Sequence, residues 1–225
     1  MKFLTTTDTS RTGPRSCRLF TLIIYLTAFI FASLQTILAV TAQPVKKLMI
    51  FGDSLTAGYG LKKKESFSEK LAIALKGKGL NIRILLSSIS GDTTAGGRSR
   101  LDWALAEKPD AFILELGAND SLRGVDPSVT RNNLEIILKK LKKNDVKILM
   151  AGMLAPPNLG KEYSIEFNSI YSSLAKKYNI LLYPFFLEGV AAVPKLNQKD
   201  GIHPNSAGVD EIVRRILPIV MKLVE

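Results

Sequence analysis

Met49-Ile50-Phe51-Gly52-Asp53-Ser54-Leu55-Thr56-Ala57-Gly58-Tyr59-Gly60 is the stretch whose reading decides the fold. Residues 48–51 form an apolar run of the length and composition of a short buried strand. The run halts at Gly52, and Ser54 follows two residues later. In an α/β sheet, ligands bind just beyond the carboxyl ends of the strands, so Ser54 stands where chemistry takes place. Taken alone, Gly52-Asp53-Ser54 reads as a turn with a helix cap. The far end of the chain changes that reading, because Asp200-Gly201-Ile202-His203-Pro204 holds the only histidine among 225 residues.

Outward from that stretch, short apolar runs alternate with longer amphipathic ones. Strands are expected at 48–51, 82–86, 111–116, 146–151 and 180–183. Helices are expected at 66–78, 94–107, 127–143, 164–178 and 205–224, with Leu134, Ile137, Leu138 and Leu141 as the clearest apolar stripe. Pro218 is expected to bend the last helix. The alternation predicts a single three-layer α/β/α domain, a small parallel sheet of about five strands with helices on both faces. Crossovers are right-handed, and so small a sheet favours a flavodoxin-like strand order over a large α/β-hydrolase sheet. No Gly-Lys-Ser/Thr follows Gly52, and no G-x-G-x-x-G opens a helix after a strand, which disfavours phosphate-loop and dinucleotide-binding folds.

Before the first strand the chain has another character. Lys2, Arg11, Arg15 and Arg18 precede an uncharged apolar run of 22 residues, 19–40. Val40-Thr41-Ala42 offers small residues where a signal peptidase reads, while the run is also long enough to span a bilayer. Residues 1–42 are therefore expected to be a signal peptide or a retained membrane anchor. Residues 43–225 form the exported domain, periplasmic or secreted. The only cysteine, Cys17, lies ahead of the apolar run, so the exported part has no disulfide. That part keeps 27 Lys/Arg against 19 Asp/Glu, a net charge of +8 within the +11 of the whole chain. The excess sits in Lys62-Lys63-Lys64 and in Lys139, Lys140, Lys142 and Lys143, which read as solvated surface. A basic surface also suits anionic lipid headgroups. Without interleaved aromatics or a known motif, nucleic acid is not an expected partner.

The carboxyl ends of the expected strands carry a consistent inventory. Ser54 follows the first and Ser88-Ile89-Ser90-Gly91-Asp92-Thr93 the second; Leu116-Gly117-Ala118-Asn119-Asp120 follows the third. Asp200 and His203 precede the last helix. A serine hydroxyl needs a base beside it to be nucleophilic. His203 suits that task near neutrality, and Asp200 can fix its tautomer. The tetrahedral oxyanion needs preorganised donors, which the Ser54 and Gly91 N–H groups and the Asn119 amide can supply. Singly, each motif reads as a turn or cap. Together, in order at strand ends, they read as an acyl-transfer site. A metal site is not expected, since one histidine and no exported cysteine cannot complete one.

At these residues the chain resembles a family. Phe51-Gly52-Asp53-Ser54-Leu55, Gly91, Gly117-Ala118-Asn119-Asp120 and Asp200-Gly201-Ile202-His203-Pro204 look like the four blocks of the SGNH (GDSL) hydrolases. The serine has no glycine two places on, unlike the elbow of α/β-hydrolases. The flanks Ser88-Ile89-Ser90-Gly91-Asp92-Thr93 and Tyr183-Pro184-Phe185-Phe186 are most similar to the branch of periplasmic thioesterases, lysophospholipases and arylesterases. The resemblance implies a Ser54–His203–Asp200 triad and an oxyanion hole of Ser54, Gly91 and Asn119. It implies no cofactor, with small-molecule or lipid-like acyl esters and thioesters as substrates. The 154–165 loop is less similar, so acyl-chain preference does not carry over.

The expectation is a serine esterase, with a monomer favoured but its oligomeric state not fixed by the sequence. Its alternatives are a carbohydrate O-deacetylase on the same fold and a non-catalytic lipid-binding envelope protein. With one histidine as base, activity is expected to rise with pH along a single ionisation. Intact-mass measurement of the exported protein is expected to begin at Gln43. Recovery of all 225 residues in the membrane fraction would instead establish a retained anchor.

Overall fold

The computed structural model describes residues 45–225, and the expected export segment at 1–42 lies outside them. Five strands form one parallel sheet: β1 (Lys46–Gly52), β2 (Ile82–Ser88), β3 (Ala111–Glu115), β4 (Lys147–Ala151) and β5 (Leu181–Tyr183). Their order is β2-β1-β3-β4-β5, the flavodoxin-like order expected from the sequence. β1 pairs with β2 through Ile50↔Leu86 and with β3 through Ile50↔Ile113. Residues Leu48 to Gly52 and all of β3 are buried, as both-faces-covered parallel strands must be. The edge strand β2 is only half-buried.

Seven helices complete the domain: α1 (Ser54–Ala57), α2 (Phe67–Gly77), α3 (Thr94–Ala106), α4 (Ala118–Leu122), α5 (Pro127–Lys143), α6 (Lys161–Tyr178) and α7 (Ser206–Val224). The chain steps from β1 to β2 in one direction and then from β2 across to β5 in the other. Right-handed crossovers therefore put α2 on one face and α3, α5 and α6 on the opposite face. The packing agrees: α2 lies against α7, α3 against α5, and α5 against α6. The expected α5 stripe, Leu134, Ile137, Leu138 and Leu141, is fully buried. On the other face, α7 buries Val209, Ile212, Ile216 and Val220.

The differences from the sequence reading are local. α1 and α4 were not expected, because four- and five-residue helices are too short to show a period. α6 starts three residues before the expected 164 because Gly160, at φ +90°, lets the chain turn directly into it. Pro218 lies inside α7, which continues past it to Val224.

The reversal of strand order falls at β1, the site of the crevice in open α/β sheets. That crevice is bounded by the link from β4 to β5. The Gly152 N–H donates to the Tyr183 carbonyl (2.8 Å) and the Phe186 N–H donates to that of Gly152 (2.8 Å). A Cβ at position 152 would sit 2.2 Å from the Pro184 carbonyl oxygen. Gly152→Ala is expected to lower stability by about 1–3 kcal/mol through overpacking against a backbone that cannot move aside. The urea midpoint should fall with an unchanged slope. An unchanged midpoint would show that the β4–β5 link relaxes freely.

Candidate active site

Ser54 opens α1, directly beyond β1. Asp53 caps that helix, its Oδ1 accepting the Leu55 N–H at 3.0 Å. As the first residue of a helix, Ser54 has an N–H with no partner inside the helix. Its side chain faces the loop before α7. There Asp200 Oδ1 accepts the N–H groups of Ile202 (3.0 Å) and His203 (3.0 Å), folding 200–203 into a tight turn. The turn aims Asp200 Oδ2 at His203 Nδ1, 2.7 Å away. His203 Nε2 then lies 3.0 Å from Ser54 Oγ. The donated His203 N–H, above all, holds the Asp200 carboxyl down at about 2, so it is ionised at any working pH. An ionised Asp200 accepts from Nδ1–H and leaves the Nε2 lone pair facing the Ser54 hydroxyl.

Asn119 stands in α4, beyond β3. Its neighbour Asp120 is buried and accepts from the Thr94 N–H (2.8 Å), the Thr94 hydroxyl and the Thr130 hydroxyl (3.3 Å). Asp120 thus ties α4 to α3 and α5 and fixes the backbone that carries Asn119. The Asn119 Nδ2 donates to Asp53 Oδ2 (3.1 Å) and to the Asp92 carbonyl (3.0 Å). Both neighbours are acceptors, which dictates the orientation of the amide. The amide is therefore bonded to the residue before Ser54 and the residue after Gly91. Gly91 itself is in the left-handed region, φ +82°, which a side chain would strain. The five residues singled out in the sequence meet at one rim. The Asn119 amide, expected from the sequence to supply an oxyanion donor, has protein acceptors for both its hydrogens.

Several residues at this rim were not anticipated. Arg100 of α3 donates to the Gly52 carbonyl (2.9 Å), the Ser87 carbonyl (2.8 Å) and Asp92 Oδ2 (2.6 Å), binding the ends of β1 and β2 to the Gly91 loop. The Tyr59 ring lies 4.6 Å from that of His203. Gln198 Nε2 donates to the Tyr59 carbonyl (2.8 Å) and the Pro204 carbonyl (2.9 Å), holding the two loops together. Below the rim, Glu115 is fully buried, and its Oε2 accepts the Asp53 N–H (3.3 Å) and the Thr56 hydroxyl (3.1 Å). Burial and the adjacent Asp53 push the Glu115 carboxyl well above the usual range. Burial likewise pushes Asp53 up to about 6. Asp53 thus adds to the rim a titratable group that the sequence reading did not weigh.

A cavity of about 390 Å³ opens beside Ser54, Asn119 and His203. Its walls are mainly apolar, with Met153, Leu154, Phe185, Leu187 and Ile202 prominent. Leu122, Leu154 and Ile202 are about half exposed at its margin.

Comparison with known proteins gives one answer. Residues 50–210 match the family model described as the GDSL-like lipase/acylhydrolase family. Esterase TesA of Pseudomonas aeruginosa is 37% identical over 84% of this chain and 95% of its own length. Thioesterase 1/protease 1/lysophospholipase L1 of Escherichia coli (strain K12) is 36% identical over 85% of this chain and 92% of its own. The crystal structure of AlinE4, described as an SGNH-hydrolase family esterase, is 47% identical, with a TM-score of 0.69 over 82% of this chain and all of that one. The chain belongs to the GDSL-like lipase/acylhydrolase (SGNH hydrolase) family and is an ester hydrolase acting on small-molecule substrates.

Proposed function

We propose that Ser54, His203 and Asp200 are the catalytic triad, with the Ser54 N–H, the Gly91 N–H and the Asn119 amide holding the oxyanion. The observation that carries this reading is the 3.0 Å approach of His203 Nε2 to Ser54 Oγ, with Asp200 2.7 Å behind the other ring nitrogen. In the first half-reaction Ser54 Oγ bonds to the acyl carbon while its proton passes to His203 Nε2. The bond to the leaving oxygen or sulfur breaks, and that atom takes the proton from His203. Water repeats the sequence on the acyl-serine, releasing the acid and restoring the hydroxyl. To serve the oxyanion, Asn119 must share a hydrogen. The one aimed at the Asp92 carbonyl is the easier to share, because a neutral carbonyl holds it less strongly than a carboxylate does.

We further propose apolar acyl esters and thioesters as substrates, the acyl chain lying in the cavity beside Ser54. The apolar walls support this, as does the E. coli relative's description as thioesterase and lysophospholipase. The exposed apolar margin and the basic surface fit a lipid-like substrate presented at a membrane surface. A deacetylase needs no cavity of about 390 Å³ for a single methyl group. The apolar segment at 19–40 supports an exported, periplasmic or secreted enzyme, with 1–42 as signal or anchor and 43–225 as the catalytic domain. Among the described residues no helix is long and apolar enough to cross a membrane.

Ser54→Ala is expected to abolish turnover while leaving the melting temperature near that of the parent, and substantial residual activity would exclude Ser54 as nucleophile. Asn119→Ala should lower kcat by about 10²–10³ with the fold intact, the usual cost of losing one oxyanion donor. Loss of folding with full specific activity per folded molecule would make Asn119 a structural residue only. On p-nitrophenyl esters, each buried methylene is worth about 0.8 kcal/mol. Acetate to octanoate adds six methylenes, about 5 kcal/mol if all are buried, so with partial burial kcat/KM should climb by about 10- to 10³-fold. Strict acetate preference would favour the deacetylase.

A further inference from the structure

The acyl-transfer scheme gives no task to Asp53, yet its side chain is completely buried beside the proposed nucleophile. Its two oxygens meet two donors, the Leu55 N–H at Oδ1 (3.0 Å) and the Asn119 amide at Oδ2 (3.1 Å). Among the described residues no cation pairs with it: Arg100 reaches the adjacent Gly52 carbonyl but spends its guanidinium on Ser87, Gly52 and Asp92. A buried carboxylate without an ion pair is costly, and an uncharged cap such as serine would satisfy Leu55 alone. What serine could not do is reach Asn119. We propose that Asp53 is a positioning residue, whose ionised carboxylate holds the Asn119 amide in place to serve the oxyanion. The inference rests on the assignment of Asn119 to the oxyanion hole.

The chemistry of the contact requires a carboxylate. Both partners are donors, so both oxygens must accept. Protonation puts a hydrogen on one oxygen and sets it against an N–H. An asparagine at this position offers one acceptor and one NH₂ group, so in either orientation it faces Leu55 or Asn119 with a donor. The bond to Asp53 also leaves the second Asn119 hydrogen directed at the Asp92 carbonyl, on the Gly91 side of the site.

Charged and titratable groups approach Asp53 from five elements, one of them α6, whose buried Tyr171 phenol is pushed up by burial and, among nearby charges, by Asp53. Glu115 of β3 accepts the Asp53 N–H, and burial pushes its carboxyl well above the usual range. Asp92, after β2, raises the Asp53 carboxyl, and His203, before α7, lowers it when protonated. Arg100 of α3 stands over the Phe51 ring and neutralises Asp92. Burial outweighs these charges, so Asp53 changes state within the range in which esterase activity is measured.

The test is a double-mutant cycle on the full chain with a neutral ester, reading kcat, KM and the acid limb. Asp53→Asn is expected to lower kcat by about 10- to 100-fold with KM little changed, the effect of a misplaced donor. In the Asn119→Ala background the same substitution should have little further effect, because Asp53 acts through Asn119. The acid limb of the parent should be steeper than one ionisation allows. It should fall to a single ionisation in both Asp53→Asn and Asn119→Ala. Should Asp53→Asn fail to fold, the comparison of the parent with Asn119→Ala carries the test alone. Unaltered kcat in Asp53→Asn, losses that multiply in the double variant, or an equally steep limb in Asn119→Ala would each overturn the positioning role. Full activity in Asn119→Ala would instead bring down the oxyanion assignment on which it rests.

Discussion

The Asn119 amide, bonded on one side to the Asp53 carboxylate and on the other to the Asp92 carbonyl, is the contact on which the rest of the site depends. Parallel strands end in backbone groups that the sheet no longer pairs, and here side chains take over that duty. Asn119 arrives from the end of β3, Asp53 from the end of β1 and Asp92 from the loop after β2. Arg100 adds a second strap across the ends of β1 and β2. Together they hold three otherwise independent strand ends to within hydrogen-bond tolerance, as preorganised donors require.

That arrangement works against the stability of the fold. The Asp53 carboxyl is raised from 3.8 to about 6. A raised carboxyl contributes stability that is fully present below the unfolded value and is lost as pH rises through the folded one. Near neutrality Asp53 is therefore a burden, and burial pushes the Glu115 carboxyl beside it in the same direction. Asp200 has the opposite sign: lowered to about 2, it contributes stability above 3.8 that is lost as pH falls through the folded value. Solvent screens that contribution, since Asp200 is 38% exposed. The balance fits a rim built for chemistry over a core built for stability, such as β3 and α5.

Much of this was legible in the chain. Helices such as α5 announce themselves because an apolar stripe, Leu134, Ile137, Leu138 and Leu141, recurs at helical spacing. β1 and β3 do so because buried parallel strands are uniformly apolar. The strand order followed from the count of elements and the handedness of crossovers. Ser54, Asp200 and His203 stood out as candidates because they fall, with Gly91 and Asn119, in order at strand ends, and the structure brings Ser54 and His203 within 3.0 Å. The supporting residues were hidden for a physical reason. Arg100 lies on a helix with no strong apolar face, so nothing in the local pattern says which way it points. Asp53 looked like an ordinary cap because its first hydrogen bond is one, and its second reaches 66 residues along the chain. Tyr59 and Gln198 meet only because the loops after β1 and before α7 come together.

The chain order of the site divides its geometry into a local and a non-local part. Asp200 and His203 belong to one turn, closed by three hydrogen bonds within four residues, so their relation survives small shifts of the domain. The approach of His203 to Ser54 spans 149 residues and has no such insurance. It depends on α7 seating correctly against α2, and on Gln198 fastening the histidine loop to Tyr59. Core substitutions under α7 should therefore act on catalysis through one distance, that from Nε2 to Oγ, and leave the Asp200–His203 pair intact. A parallel sheet with its order reversal at β1 gives that distance stiff support, because Ser54, the proposed nucleophile, directly follows a strand buried from Leu48 to Gly52.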